Sequence, residues 1–521
     1  MKHIRKVTMT RTEKVFRATA LVTVVIIASK LVGLAREMVM AGYFGTGVEN
    51  DAYVASYSLF YLPILLFSSC ITSTLIPLYI GARKEGSIKA ANAFANNAMN
   101  IFGLAALIVS VIMYVLARPL VHVVFPGFDA EKIALATRLT RIMMLSLLFN
   151  VTSIVMSSLL NAREKYVAAQ LTGFPLSFTI IVAAVFFSKR YGIDAIAWGV
   201  VAAGVLQVLI QIPYLTGWFR YTPHVDLNDP RFRRLLILAL PAILSMAVSE
   251  LNHMIDSFFA TLVSERALSA LNYGYKLITF VSGVLVVPIT TIMFSKLSGL
   301  IAGKDRSGSI AIIKKALEMV ALIVVPITAI SIVMSDDIVR LAYERGKFGE
   351  TSVQITAGAF LFFILGVLAF GVRDLLSRAF HAMQDTRTPF LVTLAGLALN
   401  TLLDWVLGHL MGINGLALGT SIVGFASMTV MFILFRRKMG QFGLKSIAVD
   451  ILKICAAGAL CVLVAFAINW LLPEMRGALH VFLRLAAVTL VSGLAYLFML
   501  LALGERQLMS LVGGAANERR R

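Results

Sequence analysis

Lys30, Arg36 and Glu37 stand inside the otherwise apolar run ATALVTVVIIASKLVGLAREMVMAGYF, which begins at Ala18. An ionisable group at the centre of a membrane helix costs about 2.5–3.5 kcal/mol on insertion scales, so such groups face a cavity or a partner. Arginine offers a planar fork for phosphate oxygens, and lysine offers a point charge. The chemistry these residues could do is therefore anion binding, to a phosphate or a carboxylate. At 100° per residue, Lys30, Gly33, Arg36 and Glu37 fall at about 0°, 300°, 240° and 340°. They share one stripe, which Gly33 thins. Asp51 opens the next apolar run.

A second set follows downstream. Glu250, His253 and Asp256 recur at intervals of three, and Lys276 sits early in the next run. For Lys30, Arg36 and Lys276 the sequence favours substrate binding, with Glu37 and Asp51 as accompanying acids. Asp256 and Glu250 are candidates for carrying a coupling proton or Na⁺. His253 reads as a satisfied polar contact. Arg373, Asp374 and Asp404 read as internal ion pairs that pin helices together, and Arg378 as an anchor at the cytoplasmic end of its span. No catalytic set and no metal site can be proposed: HExxH is absent, and Cys70, Cys455 and Cys461 form no metal spacing or disulfide framework.

The elements that must position these groups are membrane helices. Of the 521 residues, 59% are hydrophobic and 14% charged, where a soluble domain is near one quarter charged. Long apolar runs recur throughout, without the alternating strands a β-barrel needs. The sequence predicts an all-α polytopic membrane protein with fourteen spans, near 16–44, 53–80, 93–116, 133–160, 167–188, 193–217, 235–262, 269–300, 311–334, 354–380, 389–409, 415–435, 450–471 and 481–503. The net charge of +20 collects in alternate connections. That is the positive-inside pattern. It predicts both termini in the cytoplasm and contact with anionic membrane lipids, and it argues against nucleic acid. The basic N-terminus reads as a retained first span, because its apolar run is too long for a signal peptide.

The chain also resembles itself at a shift of about 218 to 220 residues. GIDAIAWG from Gly192 returns as GINGLALG from Gly412, and ITSTLIPLYIGARKEGS from Ile71 echoes ITTIMFSKLSGLIAGKDRSGS from Ile289. The repeat unit holds six spans. An even number predicts two lobes related by an axis along the membrane normal, an arrangement of transporters. The expected domains are an N-terminal six-helix lobe over 1–230, a second over 231–440, and helices 13–14 with a basic cytoplasmic tail over 441–521. Lys30, Arg36 and Lys276 lie in the first two spans of their lobes, where they are expected to line a shared cavity.

SKLVGLARE followed by FGTGVENDAY, GVLQVLIQIPYL, ERGKF, RAFHAMQDTRTP and GINGLALGTSI resemble the MurJ/MviN family of lipid II flippases, within the multidrug/oligosaccharidyl-lipid/polysaccharide exporter superfamily. The wording is closer to Gram-positive members, since span 2 carries no charge and Tyr275–Lys276 stands where proteobacterial members have an acid–arginine pair. The resemblance implies a bacterial cytoplasmic membrane protein. It implies that the headgroup of a polyprenyl-diphosphate-linked peptidoglycan precursor crosses in a cationic cavity, with its tail in an apolar groove beside helices 13–14. Lys30, Arg36 and Lys276 then fall on the positions associated with the diphosphate. Other cell-wall synthesis proteins become candidate partners. No cofactor is expected. No GxxxxGK[ST] loop is present, so the membrane potential or an ion gradient would supply the energy. The alternatives are a flippase for another undecaprenyl-linked sugar and a cation-coupled drug exporter. A membrane enzyme on the same lipid is disfavoured by the repeat and the lack of a catalytic set.

Overall fold

The computed structural model describes residues 11–440, 444–472 and 477–505. The terminal basic runs, and 441–443 in the basic connection before the last two helices, lie outside the described residues. Every regular element among the described residues is helical. These are α1 (Arg11–Phe44), α2 (Val48–Glu85), α3 (Ile88–Val124), α4 (Ala130–Met144), α5 (Leu147–Ala162), α6 (Tyr166–Gln170), α7 (Gly173–Val182), α8 (Ser188–Tyr191), α9 (Asp194–Leu215), α10 (Pro230–Val263), α11 (Ala267–Val281), α12 (Val287–Ala302), α13 (Arg306–Val333), α14 (Ser335–Tyr343), α15 (Glu350–Ala382), α16 (Arg387–Met411), α17 (Ile413–Met439), α18 (Leu444–Leu471) and α19 (Ala478–Ala502). Short π-helical segments, Ala183–Phe187 and Ser282–Val286, join α7 to α8 and α11 to α12. Helices are the natural outcome, because hydrocarbon offers no partner for backbone N–H and C=O groups.

Among the described residues, 11 helices are long and apolar enough to cross a membrane, or 13 if each of two bent pairs is one span. The fourteen spans expected from the sequence are thus not all matched. The difference falls on α1, a 34-residue helix whose apolar run carries Lys30, Arg36 and Glu37. One bent pair is α4 and α5, which meet at 43°. The other lies within α10, where Pro230–Pro241 turns by 46° from Met246–Val263. Pro241 explains that bend: it removes an amide donor and crowds the carbonyl four residues earlier.

The chain divides into two compact units, Met1–Glu250 and Leu251–Arg521. The division falls inside α10, not at the expected 230/231 boundary. The reason is packing: Phe232, Leu235 and Ala239 on the first arm of α10 are buried in the first unit's core with Leu75, Phe102, Leu147 and Leu159. The predicted third segment is not separate either. In α18, Ile454, Ala457, Cys461 and Ala465 pack on Ala321, Ala329 and Ile330 of α13, together with Val488, Tyr496 and Leu500 of α19. The Tyr496 hydroxyl donates to the Leu322 carbonyl at 3.0 Å.

Inside each unit the repeat is visible as a shared scheme of neighbours. In the first, α2 and α3 each pack on α5, α5 on α9, and α7 on α9; in the second, α11 and α13 each pack on α15, α15 on α17, and α16 on α17. Gly192 and Gly412, one repeat apart, both take positive φ, +56° and +63°. Each ends one helix and starts the next in a conformation L-residues avoid.

The small-residue stretch CAAGALC was expected to let α18 approach a neighbour closely, and Gly458 does so: a Cβ there would run into the Val325 methyl of α13. Gly458→Leu should therefore lower stability by about 1–3 kcal/mol through overpacking, with Gly458→Ala less severe. Thermal unfolding of the purified protein in detergent checks this. Equal melting temperatures for wild type and Gly458→Leu would show that α18 is not held at this contact.

Candidate substrate and ion sites

In the first unit, α1 positions the expected cations. Lys30 is exposed and has no partner among the described residues. Arg36 and Glu37 are half-buried and paired, with Arg36 Nη2 donating to Glu37 Oε1 at 2.5 Å and Nε donating to the same oxygen at 3.2 Å. The Gly33 face is open, since a Cβ there would meet nothing within 4 Å. Tyr53 and Tyr57 of α2 interact electrostatically with Arg36. Tyr53, Tyr57 and Tyr61 form a ladder, with ring centroids 5.9 Å and 5.7 Å apart. Sequence reasoning missed these tyrosines, although their spacing of four, one helical face, is a readable signal.

Asp51 is not where the sequence reading put it. It was expected to accompany the substrate, but its carboxylate is buried against Lys132 Nζ of α4 at 3.2 Å, with side-chain exposures of 1% and 3%. Two buried opposite charges neutralise each other, so Asp51 belongs to the packing between α2 and α4. Lys132 also lies over the Phe128 ring at 5.5 Å.

Glu250 is the last residue of the first unit. It is half-buried and interacts with Tyr61. In the second unit, His253 meets Tyr275, whose hydroxyl lies 3.3 Å from Nε2. That is the satisfied polar contact expected of it. Lys276 is half-buried on α11.

Asp256 is buried. The Asn400 amide donates to Asp256 Oδ1 at 2.5 Å and to Asp404 Oδ2 at 2.8 Å, which brings the two carboxyls side by side. Asp404 was expected in an ion pair. It sits instead beside a second acid, with its own Oδ1 and that of Asn400 buried without a hydrogen-bond partner among the described residues. Two neighbouring carboxylates repel each other, and a proton or a cation between them relieves that repulsion. Two acids and an amide carbonyl, all hard oxygen donors, can hold either that proton or a small hard cation. Asn400 and Asp404 lie one helical turn apart on α16, and no signal in the sequence indicates that they meet Asp256.

The remaining flagged residues do structural work. Asp374 accepts from Arg378 Nε at 2.9 Å, so Arg378 is paired and not a free anchor, while Arg373 lies over the Phe370 ring. Asp385 of DTRTP accepts from Thr388 Oγ1 at 2.6 Å, from the Arg387 and Thr388 amides, and from Lys438 Nζ. Burial alone would raise its carboxyl, but Lys438 and Thr388 hold it well below the usual carboxylate range. Near ERGKF, Arg340 clamps Glu350 in a fork at 2.6 Å and 2.5 Å.

The Asp51–Lys132 pair yields a direct test. Lys132→Met leaves a buried carboxylate without its partner, and breaking such a pair removes about 3–5 kcal/mol. Combining it with Asp51→Leu should recover most of that loss in a thermal melt. Failure of the double variant to recover would assign Asp51 a role beyond this pair.

A family model described as "Lipid II flippase MurJ" matches residues 40–500. The "Probable lipid II flippase MurJ" of Rhizobium tropici is 28% identical over 427 residues, covering 79% of this chain and 79% of that one. The "Lipid II flippase MurJ" of Burkholderia cenocepacia is 26% identical over 437 residues, covering 81% and 84%. Among solved structures, "Lipid II flippase MurJ, inward closed conformation" aligns with a TM-score of 0.78 at 25% identity, over 92% of this chain and 98% of that one. An inward-facing MATE family transporter of the MOP superfamily shares the fold, with a TM-score of 0.68 at 14% identity over 79% and 94%.

Proposed function

The chain belongs to the MurJ family of lipid II flippases, and from that premise we propose that it moves a polyprenyl-diphosphate-linked peptidoglycan precursor across the bacterial cytoplasmic membrane by alternating access. It is a multi-pass membrane protein of a transporter family, not a hydrolytic enzyme. Both termini face the cytoplasm in this reading, as the basic connections suggest.

The observation that carries the proposal is the pair of cations on α1: an exposed Lys30 and an Arg36 neutralised only by its neighbour Glu37, in an otherwise apolar helix. A diphosphate supplies the missing anion. Arg36 grips paired oxygens with its fork and Lys30 adds charge; Lys276 is the candidate headgroup cation of the second unit. Glu37 keeps Arg36 compensated while no substrate is bound. The polyprenyl tail, whose transfer to water would cost about 0.8 kcal/mol per CH₂, keeps to an apolar route along α18 and α19. Leu463, Phe466 and Phe498 are exposed on those helices.

Rescue of bacteria depleted of their own lipid II flippase tests the substrate. The wild-type chain should restore growth. Arg36→Ala should abolish rescue while expression persists, and Arg36→Lys should rescue only partly, because an ammonium cannot reproduce bidentate geometry. Full rescue by Arg36→Ala would remove Arg36 from the headgroup site.

Energy enters in this reading through Asp256 and its partners Asn400 and Asp404, which exchange a proton or Na⁺ with solution during the cycle; Glu250 is the second candidate on α10. Asp404→Asn preserves shape but removes one of the two acids. Flipping by this variant in proteoliposomes should lose its dependence on an imposed Na⁺ or proton gradient. A gradient response equal to that of wild type would exclude the cluster as the coupling site.

A further inference from the structure

A groove in the first unit lies away from Lys30 and Arg36, between α3, α4 and the start of α9. It encloses about 1100 Å³, and its lining includes Tyr114, Arg118, His122, Arg138, Arg141 and Trp198. No acidic side chain lines it, and most of the remaining wall is apolar. Of the three arginines, only Arg138 meets a carboxylate, that of Asp194 at 3.1 Å, and this pair is largely exposed. Arg141 donates to the Tyr114 carbonyl at 3.2 Å and stacks over that ring at 5.3 Å. Arg118 is exposed and has no partner among the described residues. Tyr114 and Trp198 are themselves exposed, at 45% and 54%.

Depth orders these groups. At 1.5 Å per residue, His122 and Arg118 lie about 3 Å and 9 Å in from the end of α3 at Val124, while Arg138 and Arg141 lie about 12 Å and 17 Å in from the start of α4 at Ala130. Ile142 and Leu145 continue the wall inward. The groove is thus cationic toward one membrane face and apolar toward the bilayer centre, with Trp198 about 6 Å in from the start of α9, near the level where such rings sit in membrane proteins, and Tyr114 deeper, beside Arg141. This is the polarity profile of a phospholipid. Exposed arginines at this depth are costly unless they reach an anion or the interface.

We propose that this groove binds an anionic phospholipid of the bilayer, its phosphate held by Arg118 and Arg138 and an acyl chain laid along Ile142 and Leu145. Arg141 reaches up toward the glycerol esters. A net anionic headgroup is favoured over a zwitterionic one because no acid lines the groove to accept a choline or ethanolamine cation. The proposal depends on the membrane setting of the first unit and not on the substrate.

Trp198 reports occupancy directly. In a chain whose other three tryptophans, Trp218, Trp405 and Trp470, are changed to Phe, brominated phosphatidylglycerol added to phosphatidylcholine nanodiscs should quench Trp198. Brominated phosphatidylcholine should require about tenfold more for equal quenching, a difference of about 1.4 kcal/mol. Arg118→Gln should abolish that preference, and Arg118→Lys should retain most of it. Arg118 is exposed and makes no hydrogen bond or ion pair among the described residues, so melting temperatures should stay equal. Equal quenching by the two lipids, a preference unchanged in Arg118→Gln, or displacement of phosphatidylglycerol only by a prenyl diphosphate would overturn the proposal.

Discussion

Hydrocarbon sets the rule on which the rest of this molecule depends, because each charge placed in it must find a partner, reach an interface or face a cavity. Most of the charges inside the long helices comply by pairing. Lys132 neutralises Asp51 at 3.2 Å. Arg484 of α19 forks between Asp337 at 3.3 Å and Asn469 at 2.6 Å, tying α14 to the last two helices. Lys314 lies 3.6 Å from both Glu318 and Asp450, joining α13 to α18. Against that background, Lys30 stands out through what it lacks. The same test separates Asp256 and Asp404 from ordinary ion pairs, since each acid has another acid beside it and Asn400 bridges the two.

The same rule explains which parts of the fold were legible in the sequence. Apolar runs of membrane length announce helices one at a time, because the backbone has no other way to satisfy itself in lipid. The helices duly appear, and Gly192 and Gly412 recur with matching φ. Partners across helices were not legible. Nothing in AEKIAL says that Lys132 points at Asp51, and nothing in ALNTLLD says that Asn400 bridges Asp256 to Asp404. Those pairings depend on the rotation of two helices about their axes, which a single apolar run does not encode. The domain boundary failed for a related reason. A polar connection before Pro230 looks like a natural break, but Pro241 bends α10 and leaves its first arm, with Phe232 and Leu235, in the first unit's core.

Two of the most distinctive stretches hold turns instead of lining a site. In DTRTP, Asp385 collects two backbone amides, a threonine hydroxyl and Lys438, so one carboxylate fixes the start of α16 against the end of α17. Beside ERGKF, the fork between Arg340 and Glu350 closes the turn from α14 into α15, and Gly346 takes a φ of +54° there. Distinctive wording thus marks places where backbone geometry leaves little choice of residue. The proposed anion-binding chemistry rests on plainer text, a lysine and an arginine in a helix of ordinary composition.

The two copies of the repeat have kept their packing and parted in chemistry. Glu37 and Asp256 occupy equivalent positions, one on α1 and one on α10. Glu37 has an arginine as its neighbour, and the product is a compensated cation that an incoming anion can recruit. Asp256 has an asparagine and an aspartate as neighbours, and the product is a cluster of oxygens that only a proton or a cation can complete. One acid in one architectural slot therefore keeps different company in each copy, a cation in the first and an acid with an amide in the second. Duplication supplies two copies of the slot, and few substitutions are needed to set them apart.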